Sequence, residues 1–227
     1  MENPFKKADG SRPHIIVEGG MEHCLGRFDG KEVEYSFPMV LAYLDIKGKA
    51  LFGKNFSIPE GNSDILLKLC SYIVRDFESC RKFGIDPKKG IMLSGPVGCG
   101  KTSIMKLVRH IVPHQRTYEV IPARNITFAF NHIGYKIVED YGDSGSFCFD
   151  DLGVEPLGRY FGADCNVIGE ILISRFDLFQ ASGIPTHITT NLNAKELEAR
   201  YGQRVRSRMR QMFNLIAFDK NTKDKRL

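Results

Sequence analysis

A single stretch, residues 95–102, constrains this chain more than any other part of it. It has the sequence Gly-Pro-Val-Gly-Cys-Gly-Lys-Thr and fits the pattern G-x-x-x-x-G-K-[ST] without a mismatch. The apolar run 91–93 precedes it and a helical pattern follows it, which is the context that the pattern requires. Glycines let the backbone turn its N–H groups toward phosphate oxygens, and the next helix adds its positive N-terminal end. The stretch therefore predicts a loop that binds a nucleoside triphosphate.

Two side chains at the end of this loop have predicted roles. Lys101 is expected to neutralise the β- and γ-phosphates of ATP, and the Thr102 hydroxyl is expected to hold Mg²⁺. A glycine-rich turn that arose by chance is the alternative, and the strand and helix patterns on either side disfavour it. The residues predicted to contact the nucleotide are Gly95, Pro96, Val97, Gly98, Cys99, Gly100, Lys101, Thr102 and Ser103.

The composition is that of an ordinary globular protein, with 42% hydrophobic and 26% charged residues. No apolar run reaches the roughly 18 residues of a membrane span, and the polar N-terminus lacks the apolar core of a signal peptide. Six cysteines lie at positions 24, 70, 80, 99, 148 and 165 without close pairs, so reduced thiols in the cytoplasm are expected. The His23-Cys24 and His110/His114 pairs lack a second pair at ligand spacing, and zinc is not expected.

Residues 1–60 differ from the rest of the chain and are predicted to form a small strand-containing N-terminal arm. Val33, Tyr35 and Phe37 alternate with polar residues, which predicts a strand. The apolar segments 50–52 and 56–58 flank a Gly-Lys-Asn sequence, which predicts a hairpin. Because the segment is too small for a core of its own, we predict that it docks onto a partner or leads into the main domain.

Residues 61–227 are predicted to form one α/β domain. Helical patterns alternate with short apolar runs, which favours a parallel sheet with helices on both faces. The predicted order is helix 63–83, strand 91–94, helix from 101 to before Pro113, strand 117–121, helix 125–141, strand 147–150, helix 166–182, strand 187–190, a helix opened by an Asn193/Glu196 capping box, basic helix 203–212 and strand 215–218.

A second motif at residues 147–153, Phe-Cys-Phe-Asp-Asp-Leu-Gly, places two carboxylates at the end of an apolar strand. In a P-loop fold, Asp150 is expected to hold Mg²⁺ through water, and Asp151 to orient or deprotonate an attacking water. The alternative is a carboxylate pair in an exposed turn. The position about 50 residues after the phosphate loop, with a predicted strand between, favours the nucleotide site.

Four motifs follow one another in order, at residues 95–102, 149–153, 189–192 (Thr-Thr-Asn-Leu) and 201–209. Together they resemble the AAA+ ATPases of the DnaC/IstB group, which are bacterial helicase loaders and transposition ATPases. The resemblance covers about residues 60–220. It implies an α/β P-loop domain with a five-stranded parallel sheet of order 5-1-4-3-2, binding of ATP with Mg²⁺, and assembly into rings or spirals.

The resemblance assigns further roles residue by residue. Asn191 matches sensor 1, the polar group at a strand end that helps to position the water. Arg208, and after it Arg204, match the arginine that reaches the ATP of a neighbouring subunit. The two arginines lie four residues apart on one face of the predicted helix, and a planar guanidinium suits a γ-phosphate. The alternative is a solvated basic helix.

Three departures from the family pattern stand out. Asp151 takes a position that is often Glu in wider AAA+ proteins, and Glu155 is a nearby alternative base. Only about 25 residues separate the second predicted strand from Phe147, which leaves little room for the additional helix with which loaders contact single-stranded DNA. The chain also stops soon after the last predicted strand, so no separate C-terminal helical lid is expected.

The favoured interpretation is an oligomerising ATPase that acts as a nucleotide-switched assembly factor on a replicative helicase or a transposase. The alternatives are a P-loop kinase of a small molecule and an ATP-binding adaptor that hardly hydrolyses. Residues 196–227 contain nine Lys or Arg against four acidic residues, and the whole chain has a net charge of +5. This excess predicts weak, non-specific DNA binding by one subunit.

Overall fold

The computed structural model describes residues 12–58, 60–113, 115, 117–219 and 222. Part of the predicted N-terminal arm (residues 1–11), His114, and the basic residues Lys220, Lys223, Lys225 and Arg226 lie outside this described part. The chain forms two compact units, one of Met1–Phe83 with Lys106–Thr117 and the other of Gly84–Met105 with Tyr118–Leu227. Within the described ranges, no helix is both long enough and apolar enough to cross a membrane.

The first unit contains two short antiparallel hairpins followed by helices. Its elements are β1 (Ile15–Glu18), β2 (Met21–Cys24), β3 (Gly26–Phe28), β4 (Val33–Tyr35), α1 (Phe37–Phe52), a 3₁₀ turn (Glu60–Asn62), α2 (Ser63–Ile73) and α3 (Phe77–Lys82). β1 pairs with β2 and β3 pairs with β4.

The predicted hairpin at residues 50–58 is wrong, because residues 50–52 are the last turn of the 16-residue helix α1. A proline in the first turn favours the start of this helix, and Val40, Tyr43, Leu44 and Gly48 are its buried residues, at helical spacing. Gly48 has no room for a side chain, since a Cβ there would lie 2.2 Å from the ring of Phe56. The chain after α1 therefore folds back onto the helix instead of pairing as a strand.

The single helix predicted over residues 63–83 is two helices, α2 and α3. Arg75 between them has a φ of 59°, a left-handed conformation that ends a helix. The Asp76 carboxylate then accepts a hydrogen bond of 3.0 Å from the backbone N–H of Ser79 and starts α3 as an N-cap. The apolar periodicity continues through the break, which is why the pattern alone does not reveal it.

The second unit contains a five-stranded parallel sheet. Its elements are β5 (Gly90–Ser94), α4 (Lys101–Val108), which begins in this unit, β6 (Glu119–Pro122), α5 (Ala123–Ile133), α6 (Lys136–Gly142), β7 (Phe147–Leu152), β8 (Gly158–Tyr160), β9 (Ala163–Cys165), α7 (Val167–Ser182), β10 (His187–Thr190), α8 (Ala194–Met212) and β11 (Phe213–Ala217). The sheet order is β11-β5-β10-β7-β6. Numbered along the chain, these strands have the order 5-1-4-3-2, which confirms the prediction.

Two features of the second unit differ from the expectation. The helix predicted over 125–141 is broken into α5 and α6 at Gly134, whose φ of 79° does not fit a helix. The interval before β7 therefore holds one more short helix than expected. The hairpin β8–β9 was not predicted, and it packs on α5: Arg159 donates its backbone N–H to Asn131, and a Cβ at Gly134 would lie 2.5 Å from the Tyr160 ring.

The helices before and after β10 begin close to where the sequence predicts. Asn166 caps α7, and the Asn193/Glu196 capping box at the start of α8 is confirmed. The short helix and the basic helix predicted after residue 193 are both present; they meet at Gly202, whose φ of 84° and ψ of 160° are not helical, and they are numbered together here as α8. Apolar side chains of α5, β7, α7 and α8 form the core of this unit, among them Ile126, Phe130, Phe149, Leu152, Ile168, Ile171, Leu172, Leu197, Val205 and Met209.

Candidate nucleotide-binding site

The sheet brings three of the four motifs to one edge. Ser94 of β5 pairs with Thr190 of β10, and Thr190 pairs with Leu152 of β7. The phosphate loop follows β5 directly, and its Gly95 donates its N–H to the carbonyl of Thr190 at 3.2 Å. Because carboxyl ends of parallel strands lie at the same edge, the loop, the carboxylates of β7 and Asn191 share that edge. Asn191 is exposed there.

The loop itself has the geometry that its glycines allow. Gly98 and Gly100 have φ values of 77° and 99°, which L side chains rarely adopt. Gly95 is packed closely, since a Cβ there would lie 2.7 Å from Phe218 and 3.1 Å from the Cys99 sulfur. The chain passes from Gly100 straight into α4, so the positive end of that helix faces the loop.

Lys101 lies inside the curve of the loop. Its side chain is buried, and its Nζ donates hydrogen bonds of 2.9 Å to the carbonyl oxygens of Gly95 and Pro96. Phosphate binding requires the ammonium group to exchange these carbonyl oxygens for phosphate oxygens. Such an exchange is favourable because hydrogen bonds between two charged groups are stronger than those to neutral carbonyls.

Thr102 and Asp150 are adjacent at the other side of the loop. The Thr102 hydroxyl lies 2.9 Å and 3.0 Å from the two oxygens of the Asp150 carboxylate, to which it donates. A hydroxyl and a carboxylate supply the oxygen ligands that Mg²⁺ prefers, and Mg²⁺ commonly binds one carboxylate together with substrate phosphates and water. These two residues therefore fit the metal that the sequence predicts.

The end of β7 is irregular, and the irregularity separates its two carboxylates. Ile188 pairs with Phe149 and Thr190 pairs with Leu152, so Asp150 and Asp151 together face Thr189. This two-against-one arrangement is a β-bulge. Asp151 has a φ of 54°. Asp150 is buried against the loop, whereas Asp151 is exposed.

Glu155, the alternative base, forms hydrogen bonds with residues outside the phosphate loop. Its buried carboxylate accepts hydrogen bonds from the backbone N–H of Gly153 at 2.8 Å and from the Tyr201 hydroxyl at 2.6 Å. Arg200 lies 3.6 Å from the same carboxylate and also donates to the Glu155 backbone carbonyl. Burial, with the charge of Glu155 as the second cause, raises the pKa of Tyr201 well above its usual range. Glu155 therefore ties the end of β7 to α8, and the exposed carboxylate is that of Asp151.

The two predicted arginines have different surroundings on α8. Arg204 is exposed. The Arg208 guanidinium lies 4.9 Å from the centre of the Phe176 ring of α7 and 4.0 Å from the Asp177 carboxylate, and its side chain is 17% exposed. Stacking thus fixes Arg208, while its ion pair is at the limit of contact distance.

The sequence assigned no role to Thr189, which contacts both predicted carboxylates, and it indicated Glu155 only as an alternative base. Thr189 is fully buried, and its hydroxyl donates to Asp150 at 2.6 Å and accepts from the backbone N–H of Asp151 at 2.9 Å. The only sequence signal for Thr189 was its place in the Thr-Thr-Asn-Leu motif. Glu155 was noticed only for its nearness to Asp151.

Two solved structures with a similar fold are named as a helicase loader and as a putative primosome component. The chain is similar to the crystal structure of the DnaC helicase loader, with 18% sequence identity and a TM-score of 0.53, over 73% of this chain and 94% of that one. It is also similar to the crystal structure of a putative primosome component from Streptococcus pyogenes serotype M3, with 15% identity and a TM-score of 0.51, over 73% and 83% of the two chains. No protein-family model matches the chain. The chain therefore shares the fold of the DnaC helicase-loader structure, and its five-stranded sheet has the strand order that the resemblance of its motifs implies.

Proposed function

We propose that this protein is an AAA+ ATPase that binds and hydrolyses ATP and acts as an assembly factor on a DNA-replication or mobile-element partner. The observation that carries the proposal is the convergence of Lys101, Thr102, Asp150 and Asp151 at one edge of a 5-1-4-3-2 sheet. A phosphate loop, a buried carboxylate against its threonine and an exposed carboxylate beside it are the parts that ATP hydrolysis requires.

Each residue has one role in this proposal. The loop amides and Lys101 bind the phosphates of ATP, and Thr102 and Asp150 would hold a Mg²⁺ ion beside them. The metal neutralises charge on the phosphates when it is bound. Asp151 accepts a proton from the attacking water or orients it, and Asn191 holds the same water from the next strand. Asp151 is suited to this role because it is exposed at the edge where the γ-phosphate is expected.

Assembly is the second part of the proposal. Arg208, and beside it Arg204, project from α8 and would complete the ATP site of a neighbouring copy in a ring or spiral. The partner is proposed to be a replicative helicase or a transposase, in line with the name of the similar helicase-loader structure. The arginines of α8 also support weak contact with DNA phosphates. We expect this contact to strengthen when ATP aligns several copies, and to weaken steeply with salt.

The test is ATP hydrolysis measured against protein concentration, for the wild type and for Lys101→Ala. Lys106, an exposed lysine on the same helix, gives the matched control Lys106→Ala. A hydrolysis rate per subunit that rises steeply with concentration supports sites shared between copies, and Lys101→Ala alone should abolish ATP binding. A rate per subunit that stays constant contradicts the shared site, and ATP binding without turnover contradicts the enzyme.

A further inference from the structure

We propose that Thr189 is a positioning residue that holds both carboxylates of the candidate site in their working places. The inference rests on the proposed function, because it assigns to Thr189 the orientation of the metal-binding Asp150 and of the base Asp151. It concerns a buried hydroxyl of β10 that is neither part of the phosphate loop nor the sensor position.

The Thr189 hydroxyl occupies the bulge between β7 and β10. It donates to the Oδ1 of Asp150 at 2.6 Å and accepts from the backbone N–H of Asp151 at 2.9 Å. In a regular ladder, a backbone carbonyl of the neighbouring strand accepts the bond from such an N–H. Here the side chain of Thr189 takes that place, so one hydroxyl links the two adjacent acidic residues.

The bond to Asp150 is the one that persists when the site is loaded. Asp150 also accepts from the Thr102 hydroxyl, but Thr102 is itself a proposed metal ligand. With a metal ion bound, Thr102 would turn its oxygen toward the ion, and its bond to the carboxylate would change. Thr189 is fully buried on the neighbouring strand and has no such second task, so it can keep the carboxylate oriented. Hydrogen bonds that orient metal-binding carboxylates contribute to metal affinity.

The bond to the Asp151 N–H supports the bulge itself. Asp151 has a φ of 54°, a conformation that is costly for a residue with a side chain unless its surroundings enforce it. Without the Thr189 hydroxyl, this partly buried N–H in the bulge would lose its partner, which is unfavourable. Thr189 thereby selects the backbone conformation that turns Asp151 outward while Asp150 stays buried.

A matched control lies one residue further along the strand. Thr190 is also fully buried, and its hydroxyl donates to the Leu152 carbonyl at 2.8 Å and accepts from the Leu192 N–H at 3.1 Å. Thr190→Val therefore removes an equally buried hydroxyl from the same strand without touching the bonds to Asp150 and Asp151. Thr189→Ser keeps a hydroxyl at the bulge and serves as the conservative variant.

The experiment compares the wild type with Thr189→Val, Thr189→Ser and Thr190→Val. Three quantities are measured: thermal unfolding, affinity for a fluorescent ATP analogue with Mg²⁺ and with EDTA, and ATP hydrolysis as Mg²⁺ is titrated. We expect Thr189→Val to raise the Mg²⁺ concentration for half-maximal hydrolysis by about 10- to 100-fold, the usual effect of losing a partner of a metal ligand. It should also lower kcat, and leave analogue affinity in EDTA unchanged. Thr189→Ser should restore most of the wild-type Mg²⁺ dependence and most of kcat. Thr190→Val should lower only the unfolding temperature.

Wild-type Mg²⁺ dependence and kcat in folded Thr189→Val would overturn the proposal, as would an equal shift in Thr190→Val. If the valine variant does not fold, Thr189→Ala removes the hydroxyl without placing a second methyl against Asp150, and the same criteria apply. Absence of ATP binding by the wild type would overturn the proposed function and this role together. If the wild type binds ATP normally and Thr189→Val shows no shift in the Mg²⁺ dependence of hydrolysis, only the role of Thr189 is overturned.

Discussion

Asp150 and Asp151 are adjacent in the chain but suited to different chemistry. The buried carboxylate of Asp150 lies against the hydroxyls of Thr102 and Thr189, whereas Asp151 is exposed. A metal ligand needs fixed, oriented oxygens, and a group that activates water needs access to it. In the proposed mechanism, the local backbone therefore decides which of the two aspartates binds the metal and which activates water.

Asp151→Asn is expected to keep ATP binding and to lower hydrolysis by about 10²- to 10⁴-fold, the contribution of a positioned base. The amide has nearly the same shape but accepts no proton. Nucleotide affinity and single-turnover hydrolysis measure the two effects separately. Glu155→Gln is the comparison, and it should lower thermal stability because Glu155 joins Gly153 to Tyr201. Normal hydrolysis by Asp151→Asn together with loss of hydrolysis in Glu155→Gln would move the base to Glu155.

The residues that sequence could predict are those whose role follows from a short local pattern. Lys101 and Thr102 belong to the loop motif, and Asp150 lies near the end of an apolar strand, so the sequence alone is enough to propose their roles. Thr189 was not assigned because threonine is common in strands and a bulge has no signature of its own. The contacts of Glu155 were missed because its partner Tyr201 lies 46 residues away.

At the scale of elements, sequence periodicity located the strands of the sheet but missed breaks in helices. Both breaks, at Arg75 and at Gly134, are single residues with positive φ inside continuous apolar patterns. Periodicity reports which face is buried and does not report where the backbone turns. The hairpin β8–β9 was missed for a similar reason, since its three-residue strands are too short to show alternation.

Gly134 allows a direct test of the break between α5 and α6. Its φ of 79° and ψ of −150° belong to a region that is essentially restricted to glycine, and a Cβ would also lie 2.5 Å from the Tyr160 ring. We expect Gly134→Ala to lower the free energy of unfolding by about 3 kcal/mol. Gly162→Ala is the control, with a φ of 82° but open space around it, and should cost about 1 kcal/mol.

The measurement for both variants is chemical denaturation followed by circular dichroism. Equal losses for Gly134→Ala and Gly162→Ala would show that the Tyr160 contact contributes nothing, and that the hairpin is not seated on α5 as described. A loss of stability in Gly134→Ala without any loss in Gly162→Ala would also agree with the prediction, because the exposed turn at Gly162 can relax.

At the scale of the whole molecule, the order of the strands explains why distant motifs meet. Parallel strands joined by helical crossovers place every strand's carboxyl end at one edge, so motifs in β5, β7 and β10 converge although about 100 residues separate the first from the last. The fold of the second unit was therefore predictable from its motifs. The first unit has short hairpins and no chemical motif, and its architecture was only partly visible in the sequence.

Completion of the ATP site by a neighbouring copy predicts an effect on ATP hydrolysis that appears only in the assembled protein. Arg208→Ala should lower hydrolysis by about 10³-fold, the scale of an arginine that contacts the γ-phosphate, while single subunits still bind ATP. Stacking on Phe176 holds this guanidinium in place, and its contact with Asp177 at 4.0 Å is weak enough to be exchanged for a phosphate. Arg204→Ala should show a smaller loss. Arg210→Ala, an exposed arginine of the same helix, is the control.

Mixing the variants tests whether Arg208 acts between subunits. Neither Arg208→Ala nor Lys101→Ala should hydrolyse ATP alone, but a mixture pairs an intact phosphate loop in one copy with an intact Arg208 in the next. Hydrolysis should therefore return, with a maximum at intermediate ratios, and the unfolding temperature of each variant shows that both remain folded. Because Arg208 also packs on α7 of its own chain, the opposite result has a definite meaning. If no ratio restores hydrolysis, Arg208 acts within its own subunit by holding α8 against α7, and the shared site is wrong.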